Sequence, residues 1–124
     1  MIAVETRGAA SLKASLDTGR LSSLSAITSI ATSLGARPAA AEAFERARTH
    51  PTVATQVSDE QAIAACVRFA DSHRVLVEPA CGAALAAVDR VARAYPRVLV
   101  EVCGGMGVSM AQLRQWAGGA GLAA

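Results

Sequence analysis

At 124 residues, 52% of them hydrophobic and only 3% aromatic, the chain has the material for one domain with a real core, much of it supplied by alanine. A net charge of +2 with scattered arginines speaks against nucleic acid, which calls for a basic stripe. Three widely spaced cysteines, Cys66, Cys81 and Cys103, form no CxxC pair, which argues against a disulfide framework or zinc site and for reduced thiols in a cytosolic protein. Met1 is followed directly by a strand-like segment with no basic n-region, and no apolar run approaches the roughly 20 residues that span a bilayer.

Ile2–Glu5 reads as the end of a strand entered without the chain that should precede it. Gly8 allows a tight turn, and Ser11 is expected to cap a short helix carrying Leu12 and Leu16 and ended by Gly19. Leu21–Ala36, rich in Ser, Thr and Ala, reads as loop with one helical turn. Pro38 suits the first turn of a helix whose apolar positions are Ala40, Ala43, Phe44 and Ala47; Thr49-His-Pro51 ends it. Val53–Val57 is expected to be a strand. Ser58-Asp-Glu-Gln61 is a capping box opening a helix with Ile63, Cys66, Val67 and Ala70 on one face.

Val75–Val77 reads as a further short strand, after which Glu78-Pro-Ala-Cys-Gly82 turns the chain into a helix lined by Cys81, Ala84, Leu85, Val88 and Val91 and stopped by Pro96. Arg97–Gly107, RVLVEVCGGMG, is the organising stretch: Val98–Val102 reads as a buried central strand, and the glycines as a turn whose backbone something approaches closely. A second S-x-x-Q box, Ser109–Gln112, opens a last helix with Leu113 and Trp116 inside and Gly118-Gly119 at its close. Strands alternating with helices predict an α/β fold, a parallel sheet with helices on both faces. Ligands in such sheets sit beyond the carboxyl ends of the strands, where Cys103, Glu5 and Glu78 fall.

Taken singly, these residues leave alternatives open. Gly105-x-Gly107 would need a glycine at 110 to be a dinucleotide fingerprint, and Met110 stands there. Cys103 on its own reads most simply as a small buried hydrophobe. It also lacks a base as a nucleophile, since His50 and His73 fall at helix ends. Glu5 and Glu78 suit a ligand or ion, though solvated turn residues are commoner. Glu101 interrupts the central strand; Cys66 and Cys81 suit core packing; Arg90 and Arg114 suit solvent.

Three segments, read together, carry a resemblance. Val4-Glu-Thr-Arg-Gly-Ala9, then Val57-Ser-Asp-Glu-Gln-Ala-Ile63 leading to Val77-Glu-Pro-Ala-Cys-Gly-Ala-Ala-Leu-Ala-Ala-Val88, and finally Val102-Cys-Gly-Gly with Ser109-Met-Ala-Gln-Leu-Arg114 resemble the C-terminal part of the L-serine dehydratases. These are pyridoxal-phosphate ammonia-lyases of the tryptophan-synthase-β-like fold (fold type II). The resemblance runs almost end to end, in order and with similar spacing.

It implies elimination of water from L-serine, and usually L-threonine, giving pyruvate or 2-oxobutyrate plus ammonia, in a cytoplasmic enzyme of amino-acid catabolism whose complete form is a homodimer. It implies that the Cys103 thiol faces the cofactor's pyridine nitrogen, with Gly104 and Gly105 letting the backbone pass close to the ring. It also implies a monovalent-cation site, usually potassium, at Glu5, Ala9, Leu34 and Ala36, all through oxygen, with Ala36 where relatives often have Val. The family's Schiff-base lysine lies in an S-x-K-x-R-G segment, and none occurs here; Ser11-Leu-Lys13 lacks the Arg-Gly, so Lys13 is not expected to be catalytic. The chain is thus expected to be one partial domain over 1–124, the C-terminal half of a dehydratase, inactive alone. A serine racemase or catabolic threonine dehydratase is the nearest alternative, although racemases of this fold tend to carry Ser at the position of Cys103. A non-catalytic interaction module paired with a complete subunit is the alternative of another class.

Overall fold

The structure, a computed structural model, describes residues 1–121; the Leu-Ala-Ala end of the Gly/Ala-rich terminus lies outside them. Ile2 and Val4 supply the branched positions of β1 (Ile2–Thr6), which pairs in parallel with β2 (Val53–Val57) in the register Ile2↔Val53 to Thr6↔Val57. Parallel neighbours need a long crossover. Here it runs through α1 (Ser11–Thr18), a loop with a single 3₁₀ turn at Thr32–Leu34, and α2 (Ala41–Thr49).

α3 (Asp59–His73) follows β2 and starts in the expected capping box, with Gln61 N–H donating to Ser58 Oγ at 3.2 Å and Ser58 N–H to Gln61 Oε1 at 2.8 Å. α4 (Pro79–Ala86) packs across α3, β1 and β2. Gly82 is what lets the two helices meet: a Cβ there would lie 2.3 Å from the Ala62 carbonyl oxygen and 2.5 Å from Cys66 Sγ. Val57, Ala62 and Ala83 form the buried layer between sheet and helices, joined by Val4, Leu34 and Ala86. A second layer, Cys66, Val77, Cys81 and Leu113, holds α6 (Met110–Gly119) against α3.

Several local expectations are corrected. Ser11 is the first helical residue of α1, not its cap: the Glu5 carboxylate reaches over from the end of β1 to accept Leu12 N–H at 3.0 Å and Lys13 N–H at 2.8 Å. A carboxylate at a helix N-terminus satisfies orphan amides and complements the dipole, which a serine hydroxyl does less fully. Pro38 lies ahead of α2 in a bridge with Ser23, held there because Arg37 bonds Leu24 through both backbone and side chain. The helix after Glu78 is two, α4 and α5 (Val88–Ala92), because the Ala87 amide bonds Ala84 O, at 3.2 Å, instead of the carbonyl four residues back. The serine half of the second box forms, with Gln112 N–H to Ser109 Oγ at 3.2 Å, and Gly118-Gly119 close α6 as expected.

The largest correction concerns the sheet. Val75–Val77 and Val98–Val102 form no strand, and among the described residues β1–β2 is the only ladder. A strand is defined by a neighbour that takes its amides and carbonyls, and neither segment has one. Val77 is nonetheless fully buried, whereas Leu99, read as central-strand core, is 98% exposed. Just beyond the two segments one backbone bond joins the chain, Glu78 N–H to Gly104 O at 3.1 Å.

Candidate functional site

The unpaired run Arg97–Cys103 forms one wall of an open, mostly apolar groove of ≈ 1180 Å³. β1 and the start of β2 form another wall, and Cys81, Ala84 and Val88 line it from α4 and α5. Cys103 stands exposed at this groove; the expectation that it is buried in the core, drawn from the residue alone, does not hold. Its N–H donates to Cys81 Sγ at 3.3 Å, and its thiol points toward Glu101 Oε1 at 3.8 Å. Nearby Cys81, and then the Glu101 carboxylate, raise the Cys103 pKa, so the group stays a neutral thiol. Glu101, for which the sequence offered no partner, therefore acts on this thiol.

Gly104 follows at φ 140°, a conformation that disfavours any side chain, with open space where a Cβ would be. Gly105 has a different reason to be glycine: a Cβ would lie 2.4 Å from the Leu76 carbonyl oxygen, so its backbone is pressed against Leu76–Val77. Glu78 also borders the groove, its amide on Gly104 and its carbonyl accepting both Gly82 N–H at 3.0 Å and Cys66 Sγ–H at 3.3 Å. Burial, followed by the influence of Cys81, pushes the Cys66 thiol up to about 12.

The expected cation residues lie on two segments that a buried polar network draws together. Thr6 Oγ1 donates to Ser29 Oγ at 2.7 Å, and Ser29 Oγ donates in turn to Asp59 Oδ1 at 2.6 Å. Asp59 Oδ2 accepts Ile30 N–H at 3.1 Å, and Thr28 N–H donates to Gly8 O at 3.0 Å. The loop is thereby pinned to the turn carrying Ala9, which is fully buried. Glu5 is engaged with the α1 amides; the Leu34 carbonyl accepts Ala36 N–H at 2.8 Å, and Ala36 is exposed. No group of three or more His, Cys, Asp or Glu side chains fit to hold a metal occurs among the described residues. Lys13 pairs with Asp17 at 2.8 Å and is not among the residues that line the groove. Arg90, read as solvated, donates to Thr55 Oγ1 at 2.8 Å and ties α5 to β2.

Sequence reading missed the Thr6–Ser29–Asp59 chain and the meeting of Cys81 with Cys103. Both join residues more than twenty positions apart; the only signal was an unusual density of serine and threonine in the loop and an acidic residue directly after the Ser58 cap.

In parallel α/β folds small molecules are taken up beyond the carboxyl ends of the strands, and comparison with known proteins says to which family this one belongs. The chain belongs to the pyridoxal-phosphate dependent enzyme family, whose pattern matches residues 1–104. Within it, the chain is 42% identical over 125 residues to the human protein named L-serine dehydratase/L-threonine deaminase, covering 92% of this chain and 38% of that protein. It is 45% identical over 126 residues to the rat protein named serine dehydratase-like, covering 93% and 38%. A fungal L-serine ammonia-lyase from Rhizomucor miehei superposes with a TM-score of 0.84 at 31% identity, over 94% of this chain and 40% of that one. The chain therefore spans well under half the length of these relatives.

No helix among the described residues is long and apolar enough to cross a membrane.

Proposed function

We propose that this chain contributes the C-terminal part of the cofactor-binding domain of an L-serine ammonia-lyase, which deaminates L-serine to pyruvate and L-threonine to 2-oxobutyrate. The observation that carries the reading is the exposed, neutral Cys103 thiol at the groove, followed by a glycine with open space above it. These residues fit pyridoxal phosphate: Cys103 would meet the pyridine nitrogen, and Gly104 would leave room for the ring, with Gly105 fixing that backbone against Leu76–Val77. When bound, the cofactor supplies the electron sink for the charge left as the α-proton departs. A neutral thiol is a weak hydrogen-bonding partner and does not hold a ring nitrogen protonated as a carboxylate would. Ala84 and Val88 would give the ring an apolar wall to lie against.

Glu5, with the carbonyls of Ala9, Leu34 and Ala36, is proposed to take potassium. Each donor is a hard oxygen, and a carboxylate already accepting two amides still has lone pairs. The assembled enzyme is proposed to be a cytoplasmic homodimer acting on small amino acids, without nucleic-acid or membrane partners. No S-x-K-x-R-G segment occurs in the sequence and Lys13, the only lysine, is not among the residues lining the groove, so the 124-residue chain by itself is proposed to be inactive.

Two experiments test this. A chimaera in which the chain replaces the aligned segment of the human relative should form pyruvate from L-serine; a folded, cofactor-loaded chimaera forming neither keto acid overturns the assignment. Purified chain with added pyridoxal phosphate should show no lasting bound-cofactor absorbance and no pyruvate. Turnover lost on Lys13→Ala would show that the lysine had been misassigned.

A further inference from the structure

The three cysteines are remote in sequence, yet Cys81 and Cys103 converge at one groove, and only Cys103 is exposed. The Cys103 amide sits 3.3 Å from Cys81 Sγ, and Cys81 Sγ–H donates to the Gly104 carbonyl at 3.5 Å. Bond lengths then keep the two Cα atoms within about 7.5 Å, against the ~4.4–6.8 Å that a disulfide spans. Residues 97–105 carry no regular secondary structure, so the shift of ~1 Å needed at most to reach that range does not break a helix or a ladder. Cys66 is placed differently: it is fully buried and donates to the Glu78 carbonyl.

We infer that Cys81 and Cys103 are a redox-sensitive dithiol whose oxidation to a disulfide withdraws the Cys103 thiol from the groove. The co-reactant is a small-molecule disulfide. Cys103, as the accessible thiolate, attacks one of its sulfurs, forming a mixed disulfide and releasing one small thiol. Cys81 then attacks the Cys103 sulfur, closing the protein disulfide and releasing the second small thiol. Two electrons pass to the small disulfide, and the two protein thiol protons end on the two released thiols. The neighbours that raise the Cys103 pKa keep its thiolate fraction low and make the first step slow near neutral pH. Disulfide formation stands independently of the proposed function; only its consequence for cofactor binding rests on that reading.

The test is incubation of the full chain with glutathione disulfide, read by intact mass and by a non-reducing peptide map. The expected product is a monomer lighter by two hydrogens, with the Cys81 peptide joined to the Cys103 peptide and Cys66 still alkylated after denaturation. Cys103→Ser, at an exposed position, should lose the link, and Cys81→Ser should stop with one glutathione on Cys103. A glutathione adduct that persists on Cys103 in the unaltered chain, a link to Cys66, or a link between two chains overturns the inference. An internal disulfide in the chain, together with a folded chimaera whose Cys103 is untouched by cofactor analogues, would leave the inference standing and sink the proposed function.

Discussion

The end of β1 and the run Arg97–Cys103 are both apolar, β-branched stretches finishing beside glycines, yet they end in opposite conditions. At β1 the polar groups find partners: its strand pairs with β2, Glu5 caps α1, and Thr6 opens a chain of hydrogen bonds to Asp59. At Arg97–Cys103 the backbone has no ladder, Leu99 faces outward, and the segment is anchored by Val102, with Val108 following it, against the second buried layer. The first region is locked by hydrogen bonds, the second by a few apolar anchors. Order of that kind suits a wall that must receive a ligand, since little has to be broken to adjust it.

The heaviest blow to this contrast should come through the anchors. Leu113→Ala empties a fully buried site in the layer that holds the run, and thermal or urea unfolding should report a loss of about 2–5 kcal/mol. Gly82→Ala drives a methyl into the Ala62 carbonyl between α3 and α4 and should cost about 1–3 kcal/mol by the same measurement. Little change on Gly82→Ala would mean that the helices are not seated as closely as described.

The pH dependence comes next. Cys66 is pushed from 9.0 to about 12 in the folded chain, so the unfolded chain ionises first. The stability this thiol confers is fully present below about pH 9 and is lost as pH rises toward about 12, with a slope of up to about 1.4 kcal/mol per pH unit. Cys66→Ala should flatten that part of the stability curve relative to the unaltered chain; an unchanged slope would mean that the thiol is not buried.

On the other side of the comparison, Glu5→Ala removes the acceptor of two α1 amides and should cost about 1–2 kcal/mol, with Glu5→Gln retaining part of it. The smallest effect is expected at Leu99→Ser, within about 0.5 kcal/mol of the parent, because the side chain already faces solvent. A large loss there would show that the run is paired and buried after all.

What could be read from the sequence divides along the same line. The Ser58 box, β1, β2 and part of the apolar face of α3 were legible because each is decided by residues within a few positions of one another; on α3, Ile63 and Cys66 are buried as read, Val67 and Ala70 only partly, and Ala62 and Ala65 join them. Cys103, Gly104 and Gly105 were legible as a turn, and the structure adds that only the first glycine is open while the second is pressed on Leu76. Val98–Val102 was read as a central strand because its composition is that of one. Composition cannot supply the neighbouring ladder that makes a strand, and none is present among the described residues. The Glu5 cap and the approach of Cys81 to Cys103 depend on tertiary placement, which no local spacing encodes.

The central claim, that the groove beside Cys103 receives the ring of pyridoxal phosphate, is tested most directly by the alkylation rate of Cys103, the one exposed thiol of this chain, in the cofactor-free chimaera with the human relative during titration with pyridoxine 5′-phosphate. That analogue lacks the aldehyde and cannot attach to amines, so any effect reports occupancy. The account predicts a saturable slowing at Cys103 that inorganic phosphate does not reproduce. A rate that stays constant across the titration, in a chimaera shown to be folded, would contradict it.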